Sequence, residues 1–216
     1  MASGEFKTTV DAGFCKPVVS QNAKGSAYYS GSSGQYDLTG SATGITVKYA
    51  IYQALFNPTS GILRNPADLS KSVLVDANGN YMSLSYFSSY ANLKSYLQGA
   101  STTNMAYRLS AQLLVLELNA RLGYVNLASS VSVAKAGLAP ALQSALTTMP
   151  TGATAWSRIT TVDGGIASIQ AVANAAIAHL RANPRTQALD GNRTYQDALA
   201  SLMEAINGNQ GIFIQP

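Results

Sequence analysis

Residues 102–126 read TTNMAYRLSAQLLVLELNARLGYVN, and this run decides the fold class. Met105, Leu109, Leu113, Leu114, Leu116 and Leu118 take up most of the circumference of a helix, with Thr102 or Thr103 as its cap and Gly123 as its stop. A helix apolar on most sides has almost no solvent face, so other elements must surround it.

Upstream, Val47, Ile51 and Leu55 recur every fourth residue and predict a helix over about 46–56, ended by Asn57-Pro58. Ser88 or Ser89 is placed to cap a short helix through Tyr90, Leu93 and Leu97 that ends at Gly99. Three further helices are expected: about 131–147, about 164–182 after a capping Asp163, and about 195–207 with Thr194 and Asp197 in a near capping box. Met149-Pro150-Thr151-Gly152 marks a loop, and Gly211-Ile212-Phe213-Ile214 reads as a lone short strand. The expectation is a mainly α fold, a helical bundle-like core with a small β-hairpin and short terminal strands.

The hairpin comes from LVDANGNY, residues 74–81. Asp76, Asn78 and Asn80 follow the alternate spacing with which an EF-hand loop begins, which makes them candidate calcium ligands. That loop also needs a Gly at its sixth position and a bidentate Glu at its twelfth; Tyr81 and Phe87 stand there instead. Val73 and Val75 before Asn78-Gly79, and Tyr81, Met82 and Leu84 after it, favour two strands joined by a type I′ turn.

At 216 residues the chain fits one domain, or a domain plus an appendage, and can bury a substantial core. Residues 1–44, including KGSAYYSGSSGQYDLTGSATG, lack helical periodicity and read as a Gly/Ser/Tyr-rich extended arm, with 45–216 as a mostly helical globular domain. Gly31-Ser32-Ser33-Gly34 and Gly40-Ser41-Ala42-Thr43-Gly44 read as flexible spacers, since no Gly-Lys-Ser/Thr element follows to make a phosphate loop. Charged residues make up 11% and apolar ones 47%, so solubility rests on Ser, Thr, Asn, Gln and Gly. The net charge of +4 comes from basic residues scattered singly, a pattern that excludes a nucleic-acid stripe. No apolar stretch approaches the ~20 residues of a bilayer span, so membrane insertion is not expected.

Catalytic signals are sparse. His179 is the sole histidine and sits near the end of an alanine-rich helix, where the helix dipole favours an imidazolium and a capping or packing role. Glu117 and Arg121 are one turn apart in the order that favours an ion pair. No cofactor site and no enzyme activity are expected. Cys15, the one cysteine, reads either as a small residue in a loosely packed lead-in or as an intermolecular bridge. Asn192-Arg193-Thr194 matches the glycosylation sequon. The start MASGEFKTTV lacks a signal peptide's basic and apolar regions, so the sequence reads as a chain that stays inside or, as favoured here, a processed form.

AYRLSAQLLVLELNARLGYVN, preceded by LKSYLQGASTTN and followed far downstream by NRTYQDALASLMEAINGNQGIFIQP, resembles a group of uncharacterised secreted bacterial proteins. In that group a Gln-containing helix ends in Leu-Asn before a Gly, and the chain closes on a Tyr-containing helix and an Asn-rich turn. Members often open with Cys and an aromatic Gly-Tyr-Trp segment; here Cys15 is followed by Lys16-Pro17, so the N-terminal part departs from the pattern. The resemblance implies export from a bacterium to the cell exterior. It implies no activity and no cofactor.

Two functions follow as expectations. One is a structural protein of the cell exterior that assembles with copies of itself through Cys15, Tyr28, Tyr29 and Tyr36 in the arm and Ile212, Phe213 and Ile214 at the other end. The other is an adhesion module that binds calcium or a cell-surface glycan, with Tyr81, Tyr86, Phe87 and Tyr90 around the hairpin as contact surface. Packing of those four aromatics in the core is the competing structural reading.

Overall fold

The computed structural model describes residues 22–159, 165–186 and 189–214. Along the chain run α1 (Ser26–Tyr29), α2 (Ser32–Thr39), α3 (Tyr49–Phe56), β1 (Arg64–Asn65), β2 (Asp68–Val75), β3 (Tyr81–Ser83), α4 (Tyr90–Gly99) and α5 (Met105–Arg121). Then come β4 (Ser130–Ser132), α6 (Pro140–Thr147), β5 (Ile166–Ser168), α7 (Ile169–Ala182), α8 (Gly191–Asn207) and β6 (Phe213–Ile214). The fold is mainly α, with two three-stranded antiparallel sheets ordered β1-β2-β3 and β5-β4-β6.

The apolar run at 105–121 forms α5. From Met105 to Asn119 every residue except Arg108 and Gln112 is buried. α8, α7, α3, α1 and β2 pack around it. Its cap is Asn104, whose side chain accepts from Ala106 N–H, in place of the expected Thr102 or Thr103. α8 lies along α5 and buries Leu199, Leu202, Met203 and Ile206. Arg108 ties the two helices at the surface, reaching Asp197 and Glu204 at 2.6 Å each.

Several expected elements change. The helix expected over 131–147 starts at Pro140, because a proline inside a helix would clash with the carbonyl four residues earlier and fits only the first turn. Upstream, Val131 and its neighbours form β4 instead. The helix expected from 164 begins at Ile169 on a Ser168 cap, after β5; Asp163 lies outside the described residues. The last helix starts earlier, on an Asp190 cap. The C-terminal strand is not alone, since Phe213 and Ile214 pair with Val131 and Ser130. The hairpin turn is not type I′: only Gly79 takes a positive φ, and the bond from Gly79 N–H to Asp76 O gives a type I turn closed by a left-handed glycine.

The largest departure concerns the expected arm. Over residues 22–44 the chain is not extended; it forms α1 and α2, and Tyr29 and Leu38 are fully buried. Gly34 shows why the composition misleads. A Cβ there would stand 2.3 Å from the Tyr28 carbonyl oxygen and 2.5 Å from Tyr29 Cα, so the glycine permits α2 to lie directly on α1. Residues 1–21, including Cys15, lie outside the described residues.

A buried amide anchors this segment. Asn119 Oδ1 accepts from the Lys24 N–H and the Tyr29 hydroxyl, each at 2.9 Å. Its Nδ2 donates to the Lys24 carbonyl at 2.9 Å and to Asn207 Oδ1 at 3.0 Å. Asn207 in turn donates to the carbonyl and side-chain oxygens of Gln112, both at 3.1 Å. One side chain thus joins α1, α5 and α8. Asn119→Ala is expected to lower the free energy of unfolding by roughly 2–4 kcal/mol, because several buried polar groups lose partners at once. Chemical denaturation checks it; a loss near zero would contradict this anchoring.

Candidate functional site

α1 and α2, fixed by that amide, place a cluster of polar and aromatic groups at the surface. Asp37 Oδ2 accepts from the Tyr28 hydroxyl at 2.6 Å and from the Tyr124 hydroxyl at 2.5 Å. These are short, charge-assisted bonds. The two rings meet edge to face, with centroids 6.3 Å apart. Lys24 Nζ lies 5.4 Å from one ring centre and 5.3 Å from the other, within cation–π range. The bond to Asp37, and then burial, pushes the Tyr28 phenol well above its ordinary range; Tyr124 is raised first by the same carboxylate.

Beside the cluster opens a hollow of about 330 Å³ lined by Tyr28, Ser32, Ser33, Tyr36, Asp37 and Ala42. Tyr36 stands 59% exposed at its edge. Since both tyrosines bond to Oδ2, Asp37 Oδ1 has no hydrogen-bond partner among the described residues. The hollow therefore offers an aromatic ring, a carboxylate oxygen and two serine side chains to a small polar ligand.

Other concavities are built differently. A trough along α5 and α8, with parts of about 370 and 230 Å³ that share Ser26, Gln112 and Glu204, has its charged groups engaged with one another in the Arg108, Asp197 and Glu204 set. A groove of about 380 Å³ between Tyr52, Pro58, Leu69 and Leu84 is rimmed by Ser70, Ser83 and Ser85.

The expected site residues scatter. Tyr28 and Tyr36 meet at the hollow, whereas Tyr29 is buried behind it with its hydroxyl on Asn119. Ile212 and Phe213 are fully buried, and Phe213 and Ile214 belong to β6 within this chain's own sheet. Around the hairpin, Phe87 and Tyr90 are core residues and the Tyr81 hydroxyl donates to the Leu180 and Arg181 carbonyls, 3.1 and 2.8 Å away. Asp37, Tyr124 and Lys24 were not singled out in the sequence. Asp37 did carry a signal, as an acidic residue in a Gly/Ser/Tyr stretch.

In the calcium candidate, Asp76 Oδ1 accepts from the N–H groups of Asn78 and Asn80 at 2.8 and 2.9 Å, and Oδ2 from the Asn80 amide at 3.2 Å. Asn78 O accepts from Arg185 Nε, so a guanidinium already lies against the turn. A Cβ on Gly79 would come within 2.5 Å of Arg185 Cβ, which shows how closely that segment covers the loop. Among the described residues no group of three or more His, Cys, Asp or Glu could hold a metal ion.

His179 and Glu117 are both buried. Burial lowers the His179 pKa below its ordinary value, so the imidazole is neutral, contrary to the expected imidazolium; its location inside the core outweighs the helix end. Glu117 is raised by burial, with Arg121 at 3.4 Å pulling the other way. The sequon residue Asn192 lies in α8 and accepts from the Thr154 N–H at 2.7 Å.

Comparison of the chain with protein-family models, with curated proteins and with solved structures finds no match.

Calcium or a chelator is expected to leave the melting temperature unchanged, while Asp76→Ala costs about 1 kcal/mol with or without calcium, as loss of a cap does. A chelator-induced drop in melting temperature that Asp76→Ala abolishes would restore the metal site. Glu117 gives a pH test. Its folded-state pKa is raised, so its contribution is fully present below the ordinary value of 4.5 and is lost as pH rises through the folded value. Urea midpoints should show wild type losing ground to Glu117→Gln as pH rises above the ordinary value of 4.5; parallel curves would contradict it.

Proposed function

We propose that this chain is an exported bacterial protein of the cell exterior whose folded part is a binding module for a glycan, received in the hollow beside Tyr36. The observation that carries this reading is the convergence of an exposed tyrosine ring, an uncommitted oxygen of Asp37 and two serines around about 330 Å³. A sugar ring presents C–H groups on its faces and hydroxyls on its rim. The first suit an aromatic surface, the second a carboxylate oxygen and serine hydroxyls. Asp37 is held in place by two tyrosine hydroxyls, so a ligand would meet an acceptor already oriented. The low charge content fits such a polar, weakly charged partner. The resemblance in the C-terminal half supports export.

Self-association is a second proposal, and a different observation favours it. Ile45, in the link before α3, and Tyr49, the first residue of α3, are each 78% exposed, and a second copy is a ready partner for apolar side chains of that kind. Its expected signature is a concentration-dependent sedimentation coefficient that Ile45→Ser with Tyr49→Ser removes.

The glycan reading is tested by NMR titration of the folded chain with soluble bacterial oligosaccharides. Wild type is expected to show saturable shifts in α1 and α2, and Tyr36→Ala to bind about tenfold more weakly, ~1.4 kcal/mol, at an unchanged melting temperature. Absence of saturable shifts in wild type, or equal affinity in the variant, would overturn it.

A further inference from the structure

Residues 150–159 link α6 to the region before β5 without regular structure, and side chains from neighbouring helices hold them down. Thr154 N–H donates to Asn192 Oδ1 at 2.7 Å, and its hydroxyl to Asn183 Oδ1 at 3.0 Å. The Tyr195 hydroxyl donates to the Ser157 carbonyl at 2.7 Å and accepts from its N–H at 3.3 Å. Trp156 Nε1 donates to the Ala145 carbonyl at 2.8 Å, and Ile159 N–H to the Leu146 carbonyl at 3.0 Å. This segment is a strap over α6, α7 and α8.

His179 lies under it. The ring is fully buried, with Nδ1 3.4 Å from the Ala155 carbonyl and its plane edge-on to Tyr195, centroids 5.0 Å apart. Nε2 is buried with no hydrogen-bond partner among the described residues. Ala155, which supplies the carbonyl, has φ +50, a left-handed conformation that an alanine adopts only under constraint.

We propose that the strap is an acid-operated latch: protonation of His179 releases residues 153–157 from the ends of α7 and α8. With Nδ1–H given to Ala155, the neutral ring keeps Nε2 as a bare acceptor, which apolar surroundings tolerate. A proton there creates a buried donor without an acceptor and a buried charge without a counter-charge in contact. Opening removes both costs and also frees Ala155 from its left-handed φ. The charged and titratable groups on the elements packed against the ring are Asp190, Arg193 and Tyr195 from the start of α8 and Arg158 from the strap, with Arg181 on its own helix; α6 has none. The backbone carbonyls of Ala155 and Thr154 on the strap favour the proton, and so, more weakly, does Asp190, whose carboxylate is engaged in capping α8 through the Arg193 N–H at 2.9 Å. Burial is the larger effect and holds the imidazole below its ordinary 6.5. The latch therefore stays shut near neutrality and opens in acid. Opening uncovers the buried Ala153 and the half-buried indole of Trp156.

The chain carries its own probes, since His179 is its sole histidine and Trp156 its sole tryptophan. The experiment follows Trp156 emission and the His179 ring NMR signals of the full chain from about pH 7.5 to about pH 4.5, with amide hydrogen exchange at both ends. The expected result is a red shift of emission that coincides with titration of the ring, together with exchange rising about tenfold over 153–159 and unchanged in α5. His179→Gln should remove the transition. Constant emission while His179 titrates, a transition that persists in His179→Gln, or α5 exchange rising together with the strap would each overturn the proposal. If the variant fails to fold, the coincidence or separation of the two wild-type curves decides.

Discussion

The structure turns on a single buried amide. Asn119 uses both lone pairs of its oxygen and both hydrogens of its nitrogen, and its four partners come from the segment at 24–29 and from α8. An amide in that position leaves no freedom of register, because a shift of any partner strands a polar group in the core. Hydrophobic burial around α5 supplies the driving force, but it does not distinguish one docking of α1 from a neighbouring one. The amide does. From it follow the position of Lys24 over two tyrosine rings, the meeting of Tyr28 with Asp37, and the hollow beside them.

The helical core was legible because its signal is strong. α5 is apolar nearly all round, and α3, α4 and α8 carry one-sided stripes ended by Asn, Gly or Pro. The hairpin was legible too, through Val73 and Val75 before a Gly that accepts positive φ, although a type I turn replaced the expected I′ geometry once Asp76 capped the loop. Three-residue strands such as β4 and β5 gave little periodicity to read, and an apolar run beside Pro140 passed for helix. The candidate site was hidden for a different reason. Tyr124 lies 87 residues from Asp37, and Asn119 lies 95 from Lys24, so neither contact leaves a local mark. Residues 22–44 look like a spacer because Gly and Ser are frequent there, yet Gly34 is what lets two helices touch.

Low charge content gives these contacts their character. With 11% charged residues, the chain satisfies its buried polarity with amides and hydroxyls: Asn104, Ser110, Asn119, Gln196 and Asn207 are all buried. Neutral hydrogen bonds are indifferent to salt and to most pH changes. Against that background the buried histidine and glutamate, His179 and Glu117, stand out as places where pH acts on the fold. The same economy marks the hollow, where a lone carboxylate is surrounded by hydroxyl groups.

Residues 24–39 are part of the folded core and create the candidate site, rather than forming a detachable extension. Residue-resolved native-state hydrogen exchange in increasing denaturant tests it most directly. The amides of Tyr29, Gly34 and Leu38 are expected to exchange through the same global opening as Leu113 to Leu116, with matching free energies and denaturant slopes. Exchange of residues 24–39 at low free energy and near-zero slope, while α5 stays protected, would contradict it.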